Sequence, residues 1–312
     1  MSTVKFTKST VFRIIGIAGT IAGAIIYVRN PSWPTPDKIL VYLTFVFMAF
    51  GQAKAMLKHL LPFIVLLLVY ESFRGLASTL NHNVNYLWMP GVDKLFFGNL
   101  PTSTLQNWLW QGKPMWWDFG FYFVYMMHFI LPITLALLVW KFKESHYWQV
   151  VSTYVVVSFM GFLTFLLFPA SPPWLASDKG LIQPVVHTSN YVFGALGFHD
   201  FPTLYSKISP NPVAAIPSLH AAYGTLLVIF TYKLFGKKWA ALAFLYPLII
   251  YVGTVYSGEH YVIDEVLGAF YAIAAYLLVR WLFNNTHLQK KFNSLVHYKN
   301  DVRSRIKIRP RQ

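Results

Sequence analysis

The sequence predicts an all-α, polytopic membrane protein, and three observations carry that expectation. Of 312 residues, 56% are hydrophobic and only 12% are charged, against about 25% charge in soluble domains. The apolar residues fall in runs near the roughly 20 residues that cross a bilayer as a helix. The basic residues that give the net charge of +15 fall mostly between those runs.

Eight crossings are expected, at about 11–28, 38–53, 59–78, 117–140, 148–168, 214–233, 239–256 and 261–283. The second is the weakest, because Gln52 and Lys54 crowd its end. Lipid offers the backbone no hydrogen-bond partner, so each crossing is read as a helix. The short alternating runs of a barrel are absent. The first run has no small-residue cleavage pattern ahead of a soluble domain and reads as a retained helix, not a signal peptide. No Cys is present, which excludes disulfides, thiolate catalysis and Cys-ligated metal.

Charge sets the expected direction. With the N-terminus cytoplasmic, 19 of the 26 Lys and Arg residues fall in cytoplasmic segments and seven on the other side. That bias predicts that both termini are cytoplasmic. It also explains the net charge by topology, without a nucleic-acid partner. Two longer segments, 79–116 and 169–213, then face the extracytoplasmic or lumenal side. The first holds LQNWLWQ (105–111), a Trp-rich piece suited to a membrane interface. Three regions follow: N-terminal helices over 1–58, a main helical body over 59–283, and a basic cytoplasmic tail over 284–312, suited to anionic lipid.

Polar residues converge on the expected outer side. PSLHAAY (217–223) brings Ser218 and His220 to the start of one apolar run. GEHYVIDEVLG (258–268) brings His260 and Asp264 to the start of another, and YESFRG (70–75) brings Arg74 to the end of a third. Ionisable groups at such places are costly and tend to be functional. His260 and Asp264 are four apart and would share a helical face. The carboxylate can then hold the proton of one imidazole nitrogen and leave the other free to attack. Pro217 suits the first helical turn. Ser218 and nearby backbone N–H groups can receive phosphate oxygens. His220 can protonate a leaving oxygen, and Arg74 offers a planar fork of donors to a phosphoryl group. Two His and one Asp can also hold zinc, so a metal site stays open at this point.

These residues carry a family resemblance. PSLH followed by HxxxD resembles two signatures of the type 2 phosphatidic acid phosphatase superfamily. YESFRG, the PPW segment, WDFGFYFVYMMHF (117–129), PSLHAAY and VYSGEHYVIDEVLG resemble its inositol-phosphorylceramide-synthase-like branch of lipid phosphotransferases. The resemblance implies a six-helix catalytic core and catalysis without metal or other cofactor. It implies that His260 is the nucleophile and forms a phosphohistidine, that Asp264 is its partner, and that His220 is the general acid and then base. The substrates implied are a membrane lipid phosphate or phosphodiester donor and a water, polyol or lipid alcohol acceptor.

Two positions depart from the broader pattern. Leu67 stands where the superfamily usually has Lys, and Thr254 where it usually has Arg. Lys113, Lys179 or Lys207 are weak substitutes for those cations. Glu259, Asp118, Tyr122, Tyr125, His128 and Trp174 are candidate acceptor- or lipid-binding residues, with packing or headgroup-level anchoring as the plainer reading of each. The expected function is metal-independent phosphoryl or phospho-headgroup transfer on a membrane lipid. A lipid phosphate phosphatase is the first alternative, and a non-enzymatic transport or scaffold protein the second.

Overall fold

A computed structural model describes residues 7–30, 35–197 and 211–285. The expected tail from residue 286 onward, and the stretch 198–210 with Lys207, lie outside the described residues. Within them the chain is built of helices: α1 (Lys8–Arg29), α2 (Pro36–Ala49), α3 (Ala53–Leu80), α4 (Trp88–Phe97), α5 (Pro101–Leu109), α6 (Trp116–Phe142) and α7 (Tyr147–Leu167). They continue with α8 (Pro173–Asp178), α9 (Thr188–Ala195), α10 (Leu219–Phe235), α11 (Lys237–Ala243), α12 (Leu245–Tyr256) and α13 (Val262–Asn285). Among the described residues there is no strand. Two isolated bridges tie Ala170 to Asn85 and to Ala214.

Six segments are long and apolar enough to cross a membrane: α1, Ala53–Ala77, α6, Glu144–Leu167, Lys237–Tyr256 and α13. The other two expected crossings are shorter. α2 has 14 residues and α10 has 17. At 1.5 Å per residue they reach about 21 and 25 Å, short of the roughly 30 Å hydrocarbon core. Local sequence sets both lengths. α2 starts at Pro36 and ends just ahead of Gly51, whose φ of 70° breaks the helix. α10 starts at a Ser218 cap and stops at Gly236, where φ is 94°.

The core is shared by α3, α6, α7, α10 and α13, with Phe63, Val139, Tyr154, Leu226 and Ala272 among its buried members. The outward faces are equally apolar, as at Leu163, Ile273 and Trp281. Such surface suits lipid and not water. Close helix approach without a hydrophobic drive needs small residues. Gly268 of α13 shows this: a Cβ there would overlap the carbonyl oxygen of Ser218 at the start of α10.

Short helices gather at one end of the bundle. α5 packs on α12, α9 on α6, and α4 on both α5 and α13. The Trp-rich piece is part of this layer. It exposes Trp108 but buries Gln106. The Gln106 amide donates to the carbonyls of Val186 and Tyr256 and accepts from the Val186 N–H.

Candidate active site

Two local stops aim the histidines. Ser218 is extended and its hydroxyl accepts from the Ala221 N–H at 3.3 Å, so α10 begins just beyond it. Pro217 therefore lies before the cap and not in the first helical turn, because Ser218 takes the capping position. The Ser218 N–H donates to the backbone carbonyl of Asp264 at 3.0 Å, which ties the two motifs together. The second stop is the start of α13. Asp93 accepts from the N–H groups of Val262 and Ile263 at 2.9 and 3.0 Å. Asp264 accepts from the Tyr261 N–H at 2.9 Å. These bonds begin the helix at Val262, so His260 lies in the preceding turn and does not share a helical face with Asp264. Gly258, with φ of 80°, makes that turn possible.

The turn still brings the pair together. His260 Nδ1 lies 3.6 Å from Asp264 Oδ2, a charge-pair distance longer than a hydrogen bond. On its other side, His260 Nε2 lies 3.2 Å from His220 Nδ1. These contacts assign the tautomers. The carboxylate favours the proton on His260 Nδ1, which leaves Nε2 as acceptor and makes His220 Nδ1–H the donor. Asp264 is fully buried and His260 nearly so. Burial opposes charge on the His260 imidazole. Asp264 beside it and the fields of Glu265 and Glu259 outweigh that, so its pKa lies above the ordinary 6.5.

Aromatic residues of α6 surround His220. Tyr125 stacks on it with ring centroids 4.4 Å apart, and His128 lies at 4.3 Å. His128 also stacks on Tyr223 at 4.7 Å. Tyr122 joins at one remove, stacked on Tyr125 at 6.4 Å. His128 stands twelve residues beyond the start of α6, about 18 Å along the helix. A small cavity beside it is lined by Leu67, Glu71, His128, Phe129 and Tyr223. Arg74 is ion-paired through Nε to Glu71 at 2.7 Å, and its carbonyl accepts from the Asn211 amide.

The remaining expected residues make contacts of their own. The carboxylate of Asp118 accepts from the Met115 N–H and the Tyr256 hydroxyl, both within 2.7 Å. It thereby fastens the start of α6 to α12. Glu259 pairs with His187 at 2.8 Å, and Trp174 stacks on that imidazole. Lys179 lies 5.6 Å over the Tyr86 ring, and Lys113 is exposed. At the two departures, Leu67 lines the cavity beside His128, and the Thr254 hydroxyl donates to Glu265 at 2.6 Å. Among the described residues, no group of three or more His, Asp or Glu is arranged to hold a metal ion.

This geometry can be set beside known proteins. The family model described as "PAP2 superfamily" matches residues 91–278, more than half of the chain. The chain belongs to the PAP2 superfamily. Two curated relatives are similar. Phosphoinositol dihydroceramide synthase of Bacteroides thetaiotaomicron is 29% identical over 247 residues, which cover 74% of this chain and 77% of that one. The catalytic subunit of inositol phosphorylceramide synthase of Schizosaccharomyces pombe is 26% identical over 203 residues, 62% of this chain and 46% of that one. No solved structure matches the chain. The matched span contains both histidines and Asp264, but not Arg74.

Several site residues escape sequence reasoning. Asp93 caps α13 from 169 residues away, so no local spacing announces it. Gln106 and His187 also meet distant partners, Tyr256 at 150 residues and Glu259 at 72. Glu265 is different. It is a charge inside an apolar run, which is itself a signal, and it lies buried against Thr254.

Proposed function

We propose that the chain is a membrane-embedded lipid phosphotransferase that moves a phosphorylated headgroup from a phosphodiester lipid to an alcohol through a phosphohistidine at His260. The observation that carries this reading is the 3.2 Å contact between His220 Nδ1 and His260 Nε2, with Asp264 behind His260. In the proposed first step the His260 Nε2 lone pair attacks phosphorus. The bond from phosphorus to the donor's lipid alcohol breaks, and His220 gives its proton to that oxygen. In the second step the acceptor alcohol attacks the phosphohistidine, the N–P bond breaks, and His220 takes the alcohol proton. Arg74, Ser218 and the N–H groups opening α10 are the proposed holders of the non-bridging oxygens. The scheme uses no metal or other cofactor.

The relatives' names favour an inositol-phosphate headgroup and a ceramide-class acceptor, and transfer over hydrolysis. Tyr125 and His128, stacked around His220, support the α6 face as the path of the lipid alcohol, with Tyr122 further along it. The distribution of Lys and Arg supports cytoplasmic termini and an active site open to the extracytoplasmic or lumenal side.

The test is product analysis by mass spectrometry. Purified protein is given phosphatidylinositol or lipid phosphates in EDTA, with and without ceramide-class alcohols, and His260→Ala serves as control. The expected result is a new, acceptor-dependent phospholipid that the variant does not make. Free phosphate from a lipid phosphate, or inositol phosphate from phosphatidylinositol, without an acceptor effect replaces this reading with hydrolysis. Loss of turnover on EDTA alone restores the metal reading.

A further inference from the structure

Glu259 and His187 form a pair that the proposed chemistry leaves without a task. Glu259 immediately precedes the proposed nucleophile, and its Oε1 lies 2.8 Å from His187 Nε2. His187 lies flat against Trp174, with centroids 4.7 Å apart and planes within 1°. The pair is not sealed off: the His187 and Glu259 side chains are 19% and 18% exposed.

Holding the loop does not require this pair. Gln106 already clamps residue 186 and the end of α12 with three hydrogen bonds. The Trp174 N–H donates to the Gly258 carbonyl at 3.1 Å. Bonds to backbone groups build the scaffold, and the ionisable pair is mounted on it, with Glu259 next to His260 in the chain.

Electrostatics narrows what the pair can do. A bare carboxylate next to a phosphodiester repels it. Burial also works against the Glu259 carboxylate. The hydrogen bond and field of His187, and the field of His260, outweigh burial and hold its pKa below the ordinary range. A carboxylate compensated in this way is a poor phosphate binder and a good acceptor for hydroxyl groups. The adjoining flat aromatic surface suits the C–H face of a ring. Tyr125 and His128 flank His220 from α6, whereas Glu259 lies in the turn before His260, Trp174 in α8 and His187 at the cap of α9.

We infer that Glu259, His187 and Trp174 form the headgroup-reading wall of the site and recognise the hydroxyls of a cyclic polyol phosphate while its phosphorus lies at His260. The inference rests on the transferase reading above and adds the residues that select the headgroup.

The experiment measures transfer from phosphatidylinositol to a ceramide-class alcohol by the purified full chain. Two soluble competitors are used, inositol 1-phosphate and inorganic phosphate. Glu259→Gln and Trp174→Phe are compared with wild type. The expected result is a rise of about ten- to a hundredfold in donor KM and in the inhibition constant of inositol 1-phosphate for Glu259→Gln. The rise is smaller for Trp174→Phe, and inorganic phosphate inhibits all three proteins alike. Trp174→Phe leaves the Glu259–His187 hydrogen bond in place and so tests the wall even if Glu259→Gln does not fold. Equal weakening of both competitors, weakening of neither, or a fall in kcat with unchanged KM overturns the inference and leaves the transferase reading standing. A wild type that makes no inositol-containing product overturns that reading and the inference with it.

Discussion

His220 Nδ1 and His260 Nε2 face each other at 3.2 Å across the start of two helices, forty residues apart in the chain. In the proposed reaction one bond to phosphorus forms at His260 while another breaks beside His220, so substrate has to part the two rings. His260→Gln is expected to abolish transfer from every donor. His220→Gln is expected to lose about 10²- to 10⁴-fold with a lipid donor. It should lose far less with a nitrophenyl phosphodiester, whose leaving group needs no proton. Release of nitrophenolate by the two variants checks this; equal losses with both donors would take the general-acid role away from His220.

The elevated pKa of His260 fixes the sign of one pH effect. In the proposed mechanism attack requires the neutral ring, so activity is expected to fall as pH drops through its pKa. Because that pKa lies above 6.5, the acid limb of kcat/KM is expected above pH 6.5. Glu259 is one of the charges that raise it. Glu259→Gln should therefore move the limb toward lower pH. A pH–rate series on both proteins measures it, and an unmoved limb contradicts the assignment.

Gly268→Ala tests the helix contact that aligns the two motifs. The atom a new Cβ would overlap is the backbone carbonyl of Ser218, which has no rotamer to yield. Overpacking of this kind costs about 1–3 kcal/mol. A lower melting temperature is expected together with a drop in kcat, since α10 carries His220 and α13 carries Asp264. Thermal melts and transfer rates on the same preparation decide the point.

Asp93 gives a stability signature. Burial is the main cause that raises its pKa from 3.8 to about 6, with the field of Asp264 adding to it and the N–H groups of Val262 and Ile263 opposing. The folded protein thus keeps a proton that the unfolded chain releases near 3.8. The associated stability is full below that value and is lost as pH rises toward 6. Asp93→Asn removes the titration. Melts between pH 4 and 7 should show a falling component in wild type that the variant lacks.

The membrane class and most of the helices were legible because lipid imposes a long apolar run on each crossing. The exact start of α10 was not, since Leu219 follows a serine cap and a contact with Asp264 and not an edge of the bilayer. His220, His260 and Asp264 were legible as polar residues at the edges of apolar runs. Their geometry was only half legible. Spacing suggested a shared helical face, but Asp93 and the Tyr261 N–H start the helix two residues after His260. Asp118 was legible for the same reason of placement, but the partners its oxygens meet, Met115 and Tyr256, were not. Partners supplied from distant segments, such as Gln106 and His187, leave no periodic trace in sequence.

If the proposed lipid path runs past His128, its place about 18 Å along α6 has a kinetic meaning. A two-chain lipid cannot rise out of the bilayer to reach such a site, since each methylene brought into water costs about 0.8 kcal/mol. It must arrive sideways, by diffusion in the plane of one leaflet. The concentration that governs turnover is then a surface density. Diluting the substrate with inert lipid at constant total substrate should slow the enzyme, while diluting the whole suspension with buffer should not.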